Sequence, residues 1–257
     1  MTAVFINPQL YVQKNDKFTT GIVYMPIALA YLVAHFKSHN IKTQLLDLFG
    51  SSPKICTEEN GSLVFGKKID ELNLKDLNNA KCFFVYANQV ANHLSVIEII
   101  KYLKKKYPNI PISVLENSQA VTAYSLSKIR KEFLDIGCNY IVLGDLENPA
   151  LQLYKNLEEK KPMSEVKGLI SKDFSNDRID FVENLDVLNI PAWEDFPLDN
   201  YWNLGYAHGP LSSKKYIPIL SSRGCPYPCN FCVIPKTNER RWRSRSPENV
   251  VKEIKFW

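Results

Sequence analysis

Lys81-Cys82-Phe83-Phe84-Val85-Tyr86, followed a few residues later by the run from Leu94 to Tyr107, decides the fold class of this chain. An apolar segment without polar alternation reads as a strand covered on both faces, the habit of parallel sheets. In the second run Leu94, Ile97, Ile100 and Leu103 recur at helical spacing on the inward side, the lysines fall opposite, and Pro108 ends the pattern. A doubly buried strand joined to an amphipathic helix is half of a βαβ unit, so the flanking sequence should repeat it.

It does so in both directions. Upstream, Ala3 to Ile6 is a short apolar strand stopped by Asn7-Pro8 and followed by a long polar loop. Ile27, Ala30, Tyr31 and Ala34 mark a helix from Pro26 to Ser38, and Thr43 to Phe49 is a second strand. Gly50 to Asn79 reads as an irregular connection with one short helix near Ile69 to Leu77. Downstream, Pro111 to Leu115 and Tyr140 to Leu143 are strands, Ser125 to Leu134 is a helix, and Asn148 to Glu159 is a helix behind an Asn cap. The alternation predicts an α/β fold, a Rossmann-like (flavodoxin-like) parallel sheet over residues 1–160. Ligands of such sheets bind at the carboxyl ends of the strands near the switch point, which singles out the loops after Asn7, Tyr86, Leu115 and Leu143.

Residues 161–212 read as a hairpin and linker. The hairpin pairs Gly168 to Ser171 with Arg178 to Val182 through a turn at Ser175-Asn176-Asp177. The spaced prolines between Leu185 and Pro197 favour an extended connector, and the domain boundary is set there. His208 is expected to be a polar loop residue.

Composition narrows the class. With 257 residues, 45% of them hydrophobic, the chain can bury one large core or two modest ones. It has no apolar run long enough to span a bilayer and no N-terminal charged-then-apolar signal, so a cytoplasmic protein without membrane contact is expected. Thiols stay reduced there, and Cys56, Cys82 and Cys138 are expected to be core or loop residues rather than disulfides. A net charge of +5 is too mild to name a nucleic-acid partner.

Three of the six cysteines lie within eight consecutive positions, in Ser221-Ser222-Arg223-Gly224-Cys225-Pro226-Tyr227-Pro228-Cys229-Asn230-Phe231-Cys232. Thiolates spaced C-x3-C-x2-C on one loop can converge on a soft metal centre. Iron–sulfur clusters usually take four cysteines, so three leave one iron open to a further ligand. A zinc knuckle is the competing reading, but it wants a fourth Cys or a His at knuckle spacing and the chain has no second C-x2-C pair; His208 could complete a Cys3His set. Three unrelated thiols are the third reading. After the loop, Arg240 to Arg245 is a basic stretch around Trp242, and Ser246-Pro247-Glu248 is a cap, a first-turn proline and a first-turn acid that open a helix through Val250, Val251 and Ile254. The helix-entry reading is preferred to a nucleic-acid one.

With a strand expected at Tyr216 to Leu220 and Arg223-Gly224 ahead of it, the cysteine loop resembles the signature of the radical S-adenosylmethionine enzymes. The resemblance implies that Cys225, Cys229 and Cys232 hold a [4Fe–4S] cluster whose open iron is chelated by S-adenosylmethionine, that reductive cleavage gives a 5′-deoxyadenosyl radical, and that Phe231 lies beside the adenine. Pro26-Ile27-Ala28-Leu29-Ala30-Tyr31-Leu32, Ile141-Val142-Leu143-Gly144-Asp145-Leu146-Glu147 and the order of elements resemble the cobalamin-binding domain that precedes many such cores. This implies a corrinoid faced by Asn7, Asn88, Asn117 and Gly144. The chain departs from that pattern in having no D-x-H-x-x-G, hence no histidine there to ligate cobalt, and in having Glu116-Asn117-Ser118 where a glycine pair is usual. Leu185 to Pro197 resembles the linker of these proteins, and Arg243 to Ile254 the entry to the first helix of their partial TIM barrel.

The resemblance therefore implies the N-terminal part of a cobalamin-type radical enzyme, residues 213–257 forming the first βα unit of the core, with a small-molecule substrate, C-methylation or another radical transformation, and an electron donor such as flavodoxin or ferredoxin. Only 25 residues follow Cys232, so the rest of the barrel is expected on another chain or in a longer relative, and the chain alone is expected to be inactive. Two alternatives stay open. One is a non-enzymatic corrinoid or ligand-binding module with a vestigial metal loop. The other resembles the tRNA methylthiotransferases, whose sheet domain supplies three more cluster cysteines at strand ends, which Cys56, Cys82 and Cys138 do not match.

Overall fold

A computed structural model describes residues 1–15, 23–72, 77–205 and 211–257 of the protein; His208 lies outside them. Strand β1 (Thr2–Asn7) is buried throughout and passes through Pro8 into β2 (Leu10–Gln13). Helix α1 (Ile27–Ser38) is buried from Ala28 to Ala34, as its nearly unbroken apolar sequence requires. Next come β3 (Lys42–Asp47), the hairpin of β4 (Cys56–Glu59) and β5 (Ser62–Phe65), and β6 (Ala80–Ala87). Then follow α2 (His93–Lys106), β7 (Ile112–Glu116), α3 (Leu126–Asp135), β8 (Tyr140–Val142) and α4 (Glu147–Glu159). The chain ends through β9 (Leu169–Ile170), β10 (Ser175–Asn176), α5 (Leu198–Trp202), β11 (Ser222–Gly224), the short α6 (Ile234–Thr237), β12 (Trp242–Ser244) and α7 (Pro247–Phe256).

The main sheet has the order β10-β9-β8-β7-β6-β1-β3. Its five strands from β8 to β3 are parallel, and β9 and β10 extend it antiparallel. The chain runs outward from β1 to β3, then crosses back to β6 and outward the other way, so the switch point lies between β1 and β6. Successive residues of β6 feed opposite cores: Cys82, Phe84 and Tyr86 pack with α1 and α4, while Phe83, Val85 and Ala87 pack with α2 and α3. That double burial is why the strand carries no polar alternation. Phe5 stacks on Phe84 and meets Phe36 edge-on, both with ring centroids 5.1 Å apart.

Several elements differ from the sequence reading. The polar loop after Pro8 and the irregular stretch from Gly50 contain a three-stranded antiparallel sheet, β2-β5-β4. Its signal was present as Asn60-Gly61, the usual two-residue hairpin turn, between β4 and β5. Near Ile69 the helix is one 3-10 turn, Ile69–Glu71. Leu94, expected inward, is half exposed and Ile97 only partly buried; the buried face of α2 is Ser95, Val96, Ile99, Ile100 and Leu103, rotated round the helix from the expected stripe so that Ser95 Oγ can accept from Gln9 N–H. Helix α4 has no Asn cap; it begins at Glu147, ahead of Asn148. The hairpin slips: Ser175 and Asn176, expected in the turn, pair with Ile170 and Leu169. No strand forms at Tyr216 to Leu220; the strand before the cysteines is β11, paired antiparallel with β12.

The proline-rich segment is no free linker. Ala192, Trp193, Phe196 and Tyr201 are buried in the same core as α1 and α4, and Ala192 N–H donates to Ala30 O at 3.1 Å. Helix α7 opens as expected, with Ser246 Oγ accepting from Asn249 N–H at 3.2 Å. Among the described residues no helix is long and apolar enough to cross a membrane.

Candidate functional site

Parallel sheets expose backbone and loop groups at the carboxyl ends of their strands, and the switch point leaves a crevice there. In this protein that crevice is a cavity of about 550 Å³. One wall is Val23, Met25 and Ile27, at the entry to α1; another is Tyr86 and Asn88 at the end of β6, with Asn117, Gln119 and Val121 beyond β7. The segment carrying Tyr216, Ile217, Pro218 and Leu220 closes the far side. The floor is apolar and aromatic, while the rim carries three amide side chains. Asn117 Nδ2 donates to Asn88 O at 2.8 Å and to Asn88 Oδ1 at 2.9 Å, and Asn117 Oδ1 accepts from Gln119 N–H at 3.0 Å. Burial pushes the Tyr86 phenol pKa up, so it stays a neutral donor at the floor. Among the described residues none that lines it is charged or a histidine. Such a cavity suits a neutral, largely apolar ligand with an amide-rich edge.

Of the four residues expected to face a corrinoid, Asn88 and Asn117 line this cavity and Asn7 and Gly144 do not. Asn7 is turned into the fold: its Nδ2 donates to Asp47 Oδ1 at 2.8 Å, and Tyr201 Oη donates to Asp47 Oδ2 at 2.7 Å. Gly144 adopts φ +76°, and a side chain there would run into Ile179. Its N–H donates to Glu116 Oε2. The sequence reading missed Gln119, Met25 and Tyr86 as wall residues, although Gln119 follows Asn117 in the loop it selected and Tyr86 ends the strand it selected. It also missed the wall contributed by Ile217 and Leu220, which no local pattern announces.

The same wall leads straight into the cysteine loop. Gly224, at φ +80°, lies so close to Arg241 O that a Cβ could not be placed, which is why the Arg-Gly step precedes Cys225. Cys229 is exposed, Cys225 and Cys232 are half-buried, and all three thiols are free. Among the described residues no three His, Cys, Asp or Glu side chains converge closely enough to hold an ion, so the loop carries the three thiols without gathering them. Phe231 is 91% exposed and touches neither the cavity wall nor a stacking partner among the described residues. As a donor set, three accessible thiols on one loop suit a thiophilic iron–sulfur centre. Cys82 and Cys138 are buried, where loss of solvation raises both pKa values, and Cys56 is exposed on β4. They offer no second cluster site.

No family model matches the chain. It is 28% identical over 177 residues to the hopanoid C-3 methylase of Methylococcus capsulatus, an alignment covering 68% of this chain and 31% of that one. Its fold matches the cobalamin-dependent S-adenosylmethionine radical enzyme OxsB in its aqua-cobalamin-bound form, with a TM-score of 0.67 and 18% identity over 99% of this chain and 31% of that one. It also matches the radical S-adenosylmethionine methyltransferase TsrM from Kitasatospora setae with cobalamin and a [4Fe–4S] cluster bound, with a TM-score of 0.58 and 15% identity over 99% of this chain and 45% of that one. At those identities the likeness is one of fold. The chain spans 31–40% of the length of the curated relatives it matches first.

Proposed function

We propose that this chain is the N-terminal part of a cobalamin-type radical S-adenosylmethionine enzyme, its sheet holding a corrinoid and its cysteine loop a [4Fe–4S] cluster, with methyl transfer to a small-molecule substrate as the reaction. One observation carries the reading: the cavity at the switch point shares its wall, Tyr216 to Leu220, with the segment that runs into Cys225. When bound, the cluster would supply the electron that cleaves S-adenosylmethionine and the corrinoid would carry the methyl group.

The chain's own residues have separate tasks. Cys225, Cys229 and Cys232 would ligate the cluster, leaving one iron for S-adenosylmethionine, and Phe231 would lie against the adenine. Asn88, Asn117 and Gln119 would hydrogen-bond the amide arms of a corrin ring, whose flat apolar face suits Met25, Ile27 and Tyr86. The cavity's described walls offer amide and apolar side chains and no histidine, so these residues would hold a corrinoid by hydrogen bonds and packing. The apolar walls would exclude water from the transferring group. An electron donor such as flavodoxin or ferredoxin, and the later units of the barrel on a further segment or chain, complete the proposal.

Anaerobic incubation with iron and sulfide, then with hydroxocobalamin, tests it. About four irons and stoichiometric corrinoid should stay with the chain through gel filtration; uptake of neither defeats the reading. Because the three thiols are not gathered, a second reading is kept, a corrinoid-binding module without a cluster. Corrinoid retention with no iron–sulfide uptake would select it.

A further inference from the structure

Four charged side chains from two separate stretches of the sequence, Asp145 and Glu147 in one and Arg223 and Arg243 in the other, meet out of water beside the cysteine loop. Arg223 is 3% exposed, Glu147 2%, Asp145 1% and Arg243 6%. Arg223 stands on β11 two residues ahead of Cys225, and its Nη1 and Nη2 donate to Glu147 Oε2 and Oε1 at 3.0 and 2.7 Å. Its Nη1 also lies 3.5 Å from Asp145 Oδ1, and its guanidinium covers the Tyr31 ring of α1 at 5.3 Å. Across the ladder, Arg243 pairs in register with Arg223 and donates to Asp145 and, at 2.9 Å, to Val182 O. Asp145 Oδ1 accepts from Gln119 Nε2 at 3.3 Å, and Gln119 is part of the cavity rim.

Glu147 is the first residue of α4, where the helix end favours a carboxylate. Burial disfavours the Arg223 charge, but the neighbouring Glu147 and Asp145 carboxylates outweigh it and the guanidinium stays protonated. Bringing four charges out of water gains little net stability; what such clusters can supply is a single geometry. The loop beyond needs that supply, because Tyr227 and Phe231 are 68% and 91% exposed and Cys229 is exposed too, leaving few packing contacts to fix it.

We propose that Arg223 is a positioning residue for the cysteine loop, seated in a two-carboxylate receptor formed by Asp145 and Glu147, so that the thiols are held at a fixed place relative to the cavity at the strand ends. This deepens the reading above, on which it rests for the role of the loop. The planar fork is essential to the seat, since a lysine ammonium offers a point charge without two parallel donors.

The test compares the full chain with Arg223→Lys and with the double variant Arg223→Met/Glu147→Met, which leaves no lone buried charge at the pair and keeps Asp145 with Arg243. Amide exchange of residues 224–232 is followed by mass spectrometry on the metal-free proteins, alongside thermal midpoints. We expect both variants to hold their midpoint within a few degrees while exchange in the loop rises about tenfold or more, and the reduced cluster, once reconstituted, to give a broadened electron paramagnetic resonance signal. Loop exchange equal to wild type in both variants overturns the proposal, as does a rise spread evenly over the whole chain, which marks general destabilisation. The cluster reading fails separately: a wild-type chain that takes up no iron and sulfide, with exchange still rising in the variants, removes the cluster and leaves the seat.

Discussion

Glu116 Oε2 accepts a hydrogen bond from the Gly144 N–H at 3.1 Å, which ties the end of β7 to the turn after β8. Its other oxygen accepts from Leu126 N–H at 3.0 Å, at the start of α3. The carboxyl is 2% exposed, and loss of solvation outweighs the two backbone donors, so its pKa is pushed up from 4.5 to about 7. A single side chain thus ties both ends of the β7–α3 loop to the turn after β8 at the carboxyl edge of the sheet.

A pH dependence follows. The folded state keeps the Glu116 proton to higher pH than the unfolded chain does, so between 4.5 and about 7 the folded state binds more protons and stability falls as pH rises. Below that window the contribution is fully present and does not vary with pH, and above it the loss is complete. Glu116→Gln, which cannot ionise, should remove this component, so the wild-type minus variant difference in thermal midpoint should fall across the window. A flat difference would refute the assignment.

Cys229→Ala should abolish stable cluster loading, because each of the three loop thiolates would hold a different iron and the loop has no spare ligand. Iron and acid-labile sulfide per chain measure it. Zinc bound in proportion to the chain, with no sulfide uptake, would point to the zinc alternative instead.

Bound corrinoid should show the absorption spectrum of a cobalt centre without a protein imidazole, unchanged in His35, His39 or His93 variants. His93 Nε2 is engaged with Glu132 at 3.0 Å, and His39 Nδ1 with the His35 carbonyl at 2.9 Å. Asn117→Leu removes an amide from the rim and leaves Asn88 without that partner, a loss of about 1–3 kcal/mol, roughly 5- to 150-fold in affinity by titration. Equal affinity would place the ligand elsewhere.

Trp193→Ala should cost about 3–5 kcal/mol in urea unfolding, the usual range for deleting a buried aromatic. Trp193 is fully buried and packs edge-on against Phe196, 5.3 Å between centroids. A change under about 1 kcal/mol would return the segment to a loosely attached linker.

The parallel sheet was legible in the sequence because doubly buried strands lose polar alternation, so Ala3 to Ile6, Phe83 to Tyr86 and Ile141 to Val142 announce themselves locally. The helix at Ser246-Pro247-Glu248 was equally local, since a cap acts within one turn. The hairpin was misplaced because the turn closes earlier than the Ser-Asn-Asp signal suggests: Ser171 Oγ accepts from the Asp173 and Phe174 N–H groups and Ser171 N–H donates to Phe174 O, which puts Ser175 and Asn176 in the strand. The ends of β6 and β7 also gave Asn88 and Asn117, since the switch-point rule needs only strand order.

By itself the sequence determined the α/β class, the two loops whose amides rim the cavity, and the C-x3-C-x2-C spacing of the cysteine loop, all of which depend on residues within a few tens of positions. Only the tertiary structure decided that Asn7 turns inward to Asp47, that the proline-rich segment belongs to the core, and that Glu147 and Arg223, 76 residues apart, share a buried bidentate pair. The physical reason is burial: whether an amide or a charge faces a ligand or a partner depends on which distant chain excludes water from it, and no local pattern carries that information.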